Sequence, residues 1–250
     1  MSSNPYEAPR APVQDIARVV DNSELLDEPR RVPAGNGWQW FATAWEMLKT
    51  APGPWAVLVL ITIGVSFTAQ LIPFIGGLLQ QAVNPFSSAG VAAMGDALRV
   101  GRPPNMAEIM DQVMKRASQL AIVAAIMVGA TICIAVMAVV FFVFVSHGKE
   151  NAGLLVALAG LIFLVLYLPL IMATYFAPAL ICLHDKSAVD AMRMSLRACW
   201  RNFWAFTVMG LCGMGLALLA TLPLLLGWIL FIPLLFIVTY CAYRDIFFEA

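Results

Sequence analysis

Charged residues are scarce in this sequence, and long hydrophobic runs take their place. Only 12% of the 250 residues are charged, whereas 61% are hydrophobic. A soluble domain usually contains about 25% charged and about 45–50% apolar residues. Several apolar runs approach the roughly 20 residues that a helix needs to cross a bilayer. The composition therefore predicts a polytopic membrane protein.

The chain also lacks the signals for secretion, disulfide bonding and zinc binding. Its polar N-terminus has no apolar h-region, so we expect no cleavable signal peptide, and the first span must act as the signal. The five cysteines are scattered and form no C-x-x-C motif, which argues against a disulfide framework or a zinc site. These are Cys133, Cys182, Cys199, Cys212 and Cys241.

No catalytic constellation is visible either. The two histidines, His147 and His184, lie far apart, and neither has a spaced partner for a metal site or a catalytic triad. The glycines within residues 210–215 lie inside an apolar run, where we expect them to serve helix packing. The sequence therefore predicts a protein that is not an enzyme, with no cofactor, no metal ion and no nucleic-acid partner.

Residues 1–36 differ from the rest of the chain. They contain five prolines and many acidic residues, and they show no apolar periodicity. Such a segment cannot bury enough apolar surface to order itself, so we predict a disordered cytoplasmic tail. Residues 37–250 are predicted to form one integral membrane domain.

The membrane domain contains a pattern that recurs three times, in residues 37–100, 105–184 and 187–248. In each unit an amphipathic segment is followed by two apolar runs. The amphipathic segments are too short or too polar to cross, so we place them on the membrane surface. The apolar runs are predicted to form transmembrane hairpins. We therefore predict an all-α bundle of six transmembrane helices with three interfacial amphipathic helices, arranged as a three-fold helix-plus-hairpin repeat.

The second apolar run, Phe74–Leu98, is the most polar of the six and contains Pro85. We count it as a crossing because the basic loop after it would otherwise lie outside the cytoplasm. Two proline–glycine patterns mark the expected hairpin turns of the first and third units. They are Pro73-x-x-Gly76 and Pro223-x-x-x-Gly227.

The distribution of lysine and arginine predicts the orientation. Of the 15 such residues, 14 fall on one side of the six-span topology, and only Lys149 falls on the other. Positive residues accumulate in the cytoplasmic loops of membrane proteins. We therefore predict a multi-pass protein of the bacterial inner membrane with both termini in the cytoplasm.

Two of the amphipathic segments carry residues typical of the membrane interface. The first has a high density of tryptophan, whose ring is apolar while its N–H stays hydrated. The third has arginines at every fourth position, opposite Val189, Met192 and Leu196. We expect these arginines to contact anionic lipid headgroups, with positioning during membrane insertion as the alternative. The predicted interface residues are Trp38, Trp40, Trp45, Arg193, Arg197 and Arg201.

Polar residues inside the first two spans form a second candidate site. No Lys, Arg, His, Asp or Glu lies in the middle of a predicted span, which argues against a proton- or ion-coupled pump. One face of each of the first two spans is nevertheless polar, and in an antiparallel hairpin these faces can meet. The resulting polar seam predicts either hydrogen bonds between helices or a polar cavity beside the helix break at Pro85. The polar seam comprises Thr62, Ser66, Gln70, Gln81, Asn84 and Ser88.

Three segments carry a resemblance to a known family. They read G-W-Q-W-F at Gly37–Phe41, then APALICL, and later AMRMSLRACWRNFWAF. In these motifs the chain resembles a family of small uncharacterised proteobacterial inner-membrane proteins, which have a juxtamembrane G-W-x-W motif and repeated membrane hairpins. The resemblance covers about residues 35–248 and implies a membrane bundle without an assigned chemistry. The matching positions are Gly37, Trp38, Trp40, Phe176, Pro178, Ala179, Leu180, Ala191, Ser195, Ala198 and Asn202.

Two functions remain open from the sequence. The leading hypothesis is a non-enzymatic integral inner-membrane protein, an accessory or scaffold that interacts with membrane lipids, among them anionic ones, or with a partner protein. The alternative is a transporter or channel for a small or lipid-like solute. A cavity lined by the polar seam would favour the transporter, whereas a filled, dry bundle would favour the scaffold.

Overall fold

The computed structural model describes residues 25–72, 75–146, 152–222 and 227–249. Within these ranges the chain forms ten α-helices and no β-strand, which confirms the predicted all-helical class. The helices are α1 (Asn36–Thr50), α2 (Pro52–Gln70), α3 (Gly76–Arg99), α4 (Met106–Lys115), α5 (Ala117–Ser146), α6 (Ala152–Tyr175), α7 (Ala177–His184), α8 (Ala188–Arg201), α9 (Phe203–Thr221) and α10 (Trp228–Phe247).

Five helical stretches are long and apolar enough to cross a membrane. They are Pro52–Gln70, Ala117–Val143, Gly160–His184, Phe203–Thr221 and Trp228–Phe247. Helix α3, which corresponds to the second predicted span, is not among these five. Its 24 residues would reach across a bilayer, but its glutamine, asparagine and serine side chains lower its hydropathy. The six-span count and the three-fold repeat therefore stay predictions.

The short amphipathic helices α4 and α8 begin at capping residues. The Asn105 side chain accepts a hydrogen bond from the Ala107 backbone N–H, at 3.0 Å. The Ser187 hydroxyl accepts one from the Asp190 N–H, at 3.2 Å. Each cap satisfies a backbone donor that has no partner inside its own helix, so the start of both helices follows from local sequence.

A break separates α6 from α7 at Phe176, two residues before Pro178. The buried Ser195 hydroxyl of α8 donates to the Met172 carbonyl at 2.7 Å and accepts from the Phe176 N–H at 2.9 Å. Both backbone groups lie at the break, where helical hydrogen bonding is interrupted. Helix α8 therefore supports a bend that proline introduces into its neighbour.

Helix α3 occupies the middle of the bundle, and each of the amphipathic helices α4, α8 and α1 packs on a different set of neighbours. It contacts α2, α4, α5, α7 and α10. Helix α4 packs on α3, α8 packs on α6 and α7, and α1 packs on α9 and α10. Helices α4 and α8 thus lie against helices of the predicted unit that precedes their own, and α1 of the first predicted unit lies against helices of the third.

Residues 25–35, which belong to the predicted disordered tail, pack on the bundle instead. The Asn202 side chain accepts a hydrogen bond from the Val32 N–H at 2.8 Å and donates to the Arg30 carbonyl at 2.9 Å. The Arg30 N–H donates to the Ile246 carbonyl at 2.9 Å. The predicted tail boundary is therefore wrong for these residues, because the Asn202 side chain, between α8 and α9, and a backbone carbonyl of α10 satisfy their backbone groups. Residues 1–24 lie outside the described part of the chain, as do Pro73 and Pro223 of the predicted turns.

Candidate functional site

A cavity of about 530 Å³ lies in the middle of the bundle, between α3, α6, α7 and α10. One side is partly open, near Ile171 of α6 and Leu235 of α10, which line the cavity and are also exposed at the surface. Its walls are formed by Gln81, Asn84, Ser88, Val91, Ala92, Met127, Tyr167, Ile171, Thr174, Tyr175, Phe176, Ala179, Ile232, Leu235, Phe236, Thr239, Tyr240 and Tyr243.

The central cavity is uncharged and rich in tyrosine. Among the residues that the structure describes, its lining includes no Asp, Glu, Lys, Arg or His. Four of the five tyrosines of the sequence line it, and the fifth, Tyr6, lies outside the described residues. Such walls combine a large apolar surface with a few hydroxyl groups, which is typical of a site for an uncharged amphiphile.

Half of the predicted polar seam reaches this cavity. Gln81 links two helices there, because its Nε2 donates to the Tyr167 hydroxyl of α6 at 3.1 Å while its Oε1 accepts from Thr131 of α5 at 2.9 Å. Asn84 and Ser88 also line the cavity, and the side chain of neither makes a hydrogen bond to another described residue. Their polar groups are therefore available to a bound molecule.

The other half of the polar seam lies elsewhere. The Thr62 hydroxyl donates to the Leu58 carbonyl of its own helix, at 2.9 Å. Ser66 is half-buried, Gln70 is exposed, and none of the three lines the cavity. The structure thus brings Gln81, Asn84 and Ser88 together with α5, α6 and α10, and it does not bring them together with the polar residues of α2.

Hydrogen bonds close the cavity towards the C-terminal end of α10. The Tyr175 hydroxyl of α6 and the Thr239 hydroxyl of α10 lie 3.2 Å apart. The Tyr240 hydroxyl donates to an Asp96 carboxylate oxygen at 3.4 Å. The Tyr240 ring packs against Gly95, where any Cβ would lie only 2.6 Å from the ring carbons. Glycine at position 95 is therefore needed to let this wall form.

The predicted interface tryptophans occupy two different environments. Trp38 and Trp45 are exposed on α1, in agreement with an interfacial position. Trp40 is only 3% exposed, and its indole N–H donates to Asp245 at 2.8 Å. The prediction that Trp40 contacts the membrane interface is therefore wrong, because α1 turns this side chain towards α10.

The three predicted interface arginines of α8 are exposed. Arg193 lies 3.7 Å from Asp190, and Arg201 lies 3.5 Å from Glu28 of the N-terminal segment. Two large aromatic residues that the sequence analysis did not single out, Trp200 and Trp204, are exposed beside them. The sequence could have indicated this aromatic surface, because Trp200 directly precedes Arg201. Lipid contact by the arginines stays a prediction.

The sequence analysis also missed the polar cluster around Asp245. This carboxylate pairs with Arg30 and accepts hydrogen bonds from Asn36 at 2.7 Å and from Trp40. A carboxylate near the end of a hydrophobic helix was the one signal in the sequence, because a buried charge requires partners. Its three donors come from the start of the chain, so no local pattern could identify them.

No nucleophile or metal site stands out in the described part of the chain. No group of three or more His, Cys, Asp or Glu residues there could hold a metal ion. Burial raises the pKa of Cys199 to about 12, so this thiol stays protonated at neutral pH. The central cavity remains the feature with the clearest capacity to bind a molecule.

The chain is similar to a protein of Burkholderia thailandensis that is named a probable inner membrane protein. The two are 28% identical over 203 residues, which cover 75% of each chain. No protein-family model matches the chain, and no solved structure matches it. Together with the five apolar helical stretches, the similarity identifies a multi-pass integral membrane protein.

Proposed function

We propose that this protein binds an uncharged, lipid-like solute in its central cavity and moves it within or across the inner membrane. The observation that carries the proposal is the tyrosine-lined cavity itself, which contains no charged side chain within the described residues and is partly open between α6 and α10. Of the two hypotheses from the sequence, a cavity that includes part of the polar seam favours the transporter.

The chemistry of the walls supports a solute with an apolar body and a small polar group. Aliphatic side chains such as Val91, Ile232 and Leu235 would pack against the body, while Asn84 and Ser88 offer hydrogen bonds. A charged group would be costly in a cavity that holds no opposite charge. From Gln81 to Ala92 the cavity extends along twelve residues of α3, about 17 Å, which suits an elongated molecule.

The six-span topology is part of this proposal. Although α3 is too polar to be identified by hydropathy, α2, α5, α7 and α10 surround it and would shield its polar face from lipid. Six crossings would place both termini in the cytoplasm, as the bias of 14 basic residues to one requires. The packing of α4 and α8 on helices of the preceding predicted unit, and of α1 on helices of the third, supports the three-fold repeat.

An accessory or scaffold role is the second candidate, and the exposed surface of α8 favours it. Arg193, Arg197 and Arg201 are exposed there with Trp200, and Trp204 is exposed at the start of α9, a combination that suits anionic headgroups or a partner protein. In both roles we expect no chemical reaction and no cofactor.

Filling the cavity tests the proposed function. We expect the Ser88→Phe variant to lose its co-purifying lipid-like molecule, because the ring would occupy the cavity. Mass spectrometry of extracts from protein purified in a mild detergent measures this. Ser87→Phe is the matched control, since Ser87 is also half-buried but does not line the cavity. If wild type and Ser88→Phe retain the same molecules, the cavity is not the binding site and the accessory or scaffold role is favoured.

A further inference from the structure

A second cavity, separate from the central one, lies at the ends of three helices. This interfacial pocket of about 500 Å³ is formed by α1 and by the C-terminal turns of α3 and α10. Arg30, Arg99 and Arg244 line it together, although they come from three distant parts of the chain. Of the residues that the structure describes, only Tyr240 lines both cavities, so the two can be tested separately.

The fold holds each of the three guanidinium groups in place. Arg30 pairs with Asp245, and Arg99 lies 3.2 Å from the Asp96 carboxylate. Arg244 lies over the Phe248 ring, 3.7 Å from its centre. A guanidinium that is already positioned loses less conformational entropy when a ligand arrives, so these arginines form a preorganised set of donors.

The guanidinium groups of the interfacial pocket have donors beyond those that their partners in the fold use. Two carboxylates, Asp245 and Glu249, line the pocket with the three arginines, and Asp96 pairs with Arg99 beside it. Asp245 is already engaged by Arg30, Asn36 and Trp40. Each guanidinium carries five N–H donors, so a partner inside the fold leaves capacity for another acceptor.

We propose that the interfacial pocket binds a phosphate group. A carboxylate offers only two oxygens, whereas a phosphate monoester offers three that can accept from three separate guanidinium groups. The pocket lies at the C-terminal turns of α3 and α10, on the side that carries 14 of the 15 basic residues in the proposed topology. Lipid phosphates lie at this depth, and so do soluble phosphate esters of the cytoplasm.

Binding of dioleoyl phosphatidic acid, a phosphate monoester, to the full-length, delipidated protein in a neutral detergent tests this inference. Native mass spectrometry at high salt measures the affinity, because salt weakens contacts to exposed charges more than contacts in a pocket. We expect Arg99→Gln/Arg244→Gln to bind this lipid at least about tenfold more weakly, since two charge-assisted donors are lost. Dioleoylglycerol, which lacks the phosphate, should not bind in this pocket.

A matched control separates the pocket from general electrostatics. Arg102→Gln/Lys115→Gln removes the same charge from exposed positions that do not line the pocket and should leave the affinity unchanged. Because loss of the Arg99–Asp96 ion pair could itself disturb the fold, Thr43→Glu provides a second variant. Thr43 is exposed and lines the interfacial pocket, and its hydroxyl makes no hydrogen bond to another described residue. The carboxylate of the introduced glutamate should therefore repel the phosphate without breaking a contact.

Competition by sodium phosphate distinguishes the two sources of the group. Displacement of the lipid by millimolar phosphate supports a site for soluble phosphate compounds, whereas lipid binding without displacement supports a headgroup site. The inference is overturned if both pocket variants bind the lipid as wild type does, or if the Arg102→Gln/Lys115→Gln control loses binding equally. Ser88→Phe should not affect this measurement, so failure of the central cavity would not be mistaken for failure here.

Discussion

The absence of a side chain at single residues allows helices to pack closely, and Gly37 shows this most directly. A Cβ at this position would lie 2.6 Å from the Met209 backbone nitrogen and closer still to the Ala205 carbonyl oxygen. The absence of a side chain therefore allows α1 to touch the backbone of α9. The neighbouring Trp40 then reaches Asp245 on α10. The G-W-x-W sequence thus gives one close approach and one buried hydrogen bond.

Gly37→Ala should destabilise the protein by about 1–3 kcal/mol, because the backbones of α1 and α9 would have to separate. Thermal unfolding in detergent measures the loss. Gly35→Ala is the matched control, since a Cβ there meets nothing within 4 Å and the backbone is already in the right-handed helical region. Equal melting temperatures for Gly37→Ala and Gly35→Ala would contradict the close approach.

At the scale of elements, the short amphipathic helices stabilise irregular backbone in their neighbours. Helix α8 contributes Ser195 to the break between α6 and α7, and Asn202 at its end binds the N-terminal segment. Both positions are among those that match the resembled family in the sequence. The resemblance implied no role for them, and only the packed neighbours show what these two polar residues do.

Ser195→Ala should destabilise the protein by about 1–3 kcal/mol, because the Phe176 N–H and the Met172 carbonyl would lose their buried partner. Thr207→Ala serves as a control, since its hydroxyl bonds only a carbonyl of its own helix, at 2.9 Å. Chemical denaturation in mixed micelles compares the two. The interpretation fails if both variants lose the same stability.

At the scale of the whole molecule, the polar helix α3 is surrounded by apolar helices. Its neighbours α2, α5, α7 and α10 cover it, and residues 89–95 of α3 are all buried. The buried stretch is apolar, whereas Gln81 and Ser88 line the central cavity half-buried and Asn84 lines it while exposed. In the proposed six-span topology, α3 crosses the membrane as a helix of moderate hydropathy that other helices partly enclose.

Fusions to alkaline phosphatase test the topology. With six crossings, a fusion at Asn151 should be active in the periplasm, whereas fusions at Glu108 and Asp190 should be inactive, because 14 basic residues hold the other side in the cytoplasm. Immunoblots check that each fusion is produced. An active fusion at Glu108 would show that α3 does not cross, and the three-fold repeat would fail with it.

The sequence by itself determined the class of the protein, its apolar helices and the caps of α4 and α8. Each of these depends on composition, hydropathy or spacing within about 25 residues, which local sequence contains. It also identified Gln81, Asn84 and Ser88 as an unusual polar face. The α2 half of the polar seam does not line the central cavity. Contacts with α5, α6 and α10 decide which way the polar face of α3 points, and the sequence of the hairpin does not contain them.

Only the tertiary structure decided which distant residues meet. Arg30 and Asp245 are 215 residues apart in the chain, and the four tyrosines of the cavity come from α6 and α10. Trp40 and Val32 are buried for the same reason, since their partners are Asp245 of α10 and Asn202 between α8 and α9. Which helix faces oppose each other is set by the packing of all the helices together, and no periodicity within a single segment specifies that packing.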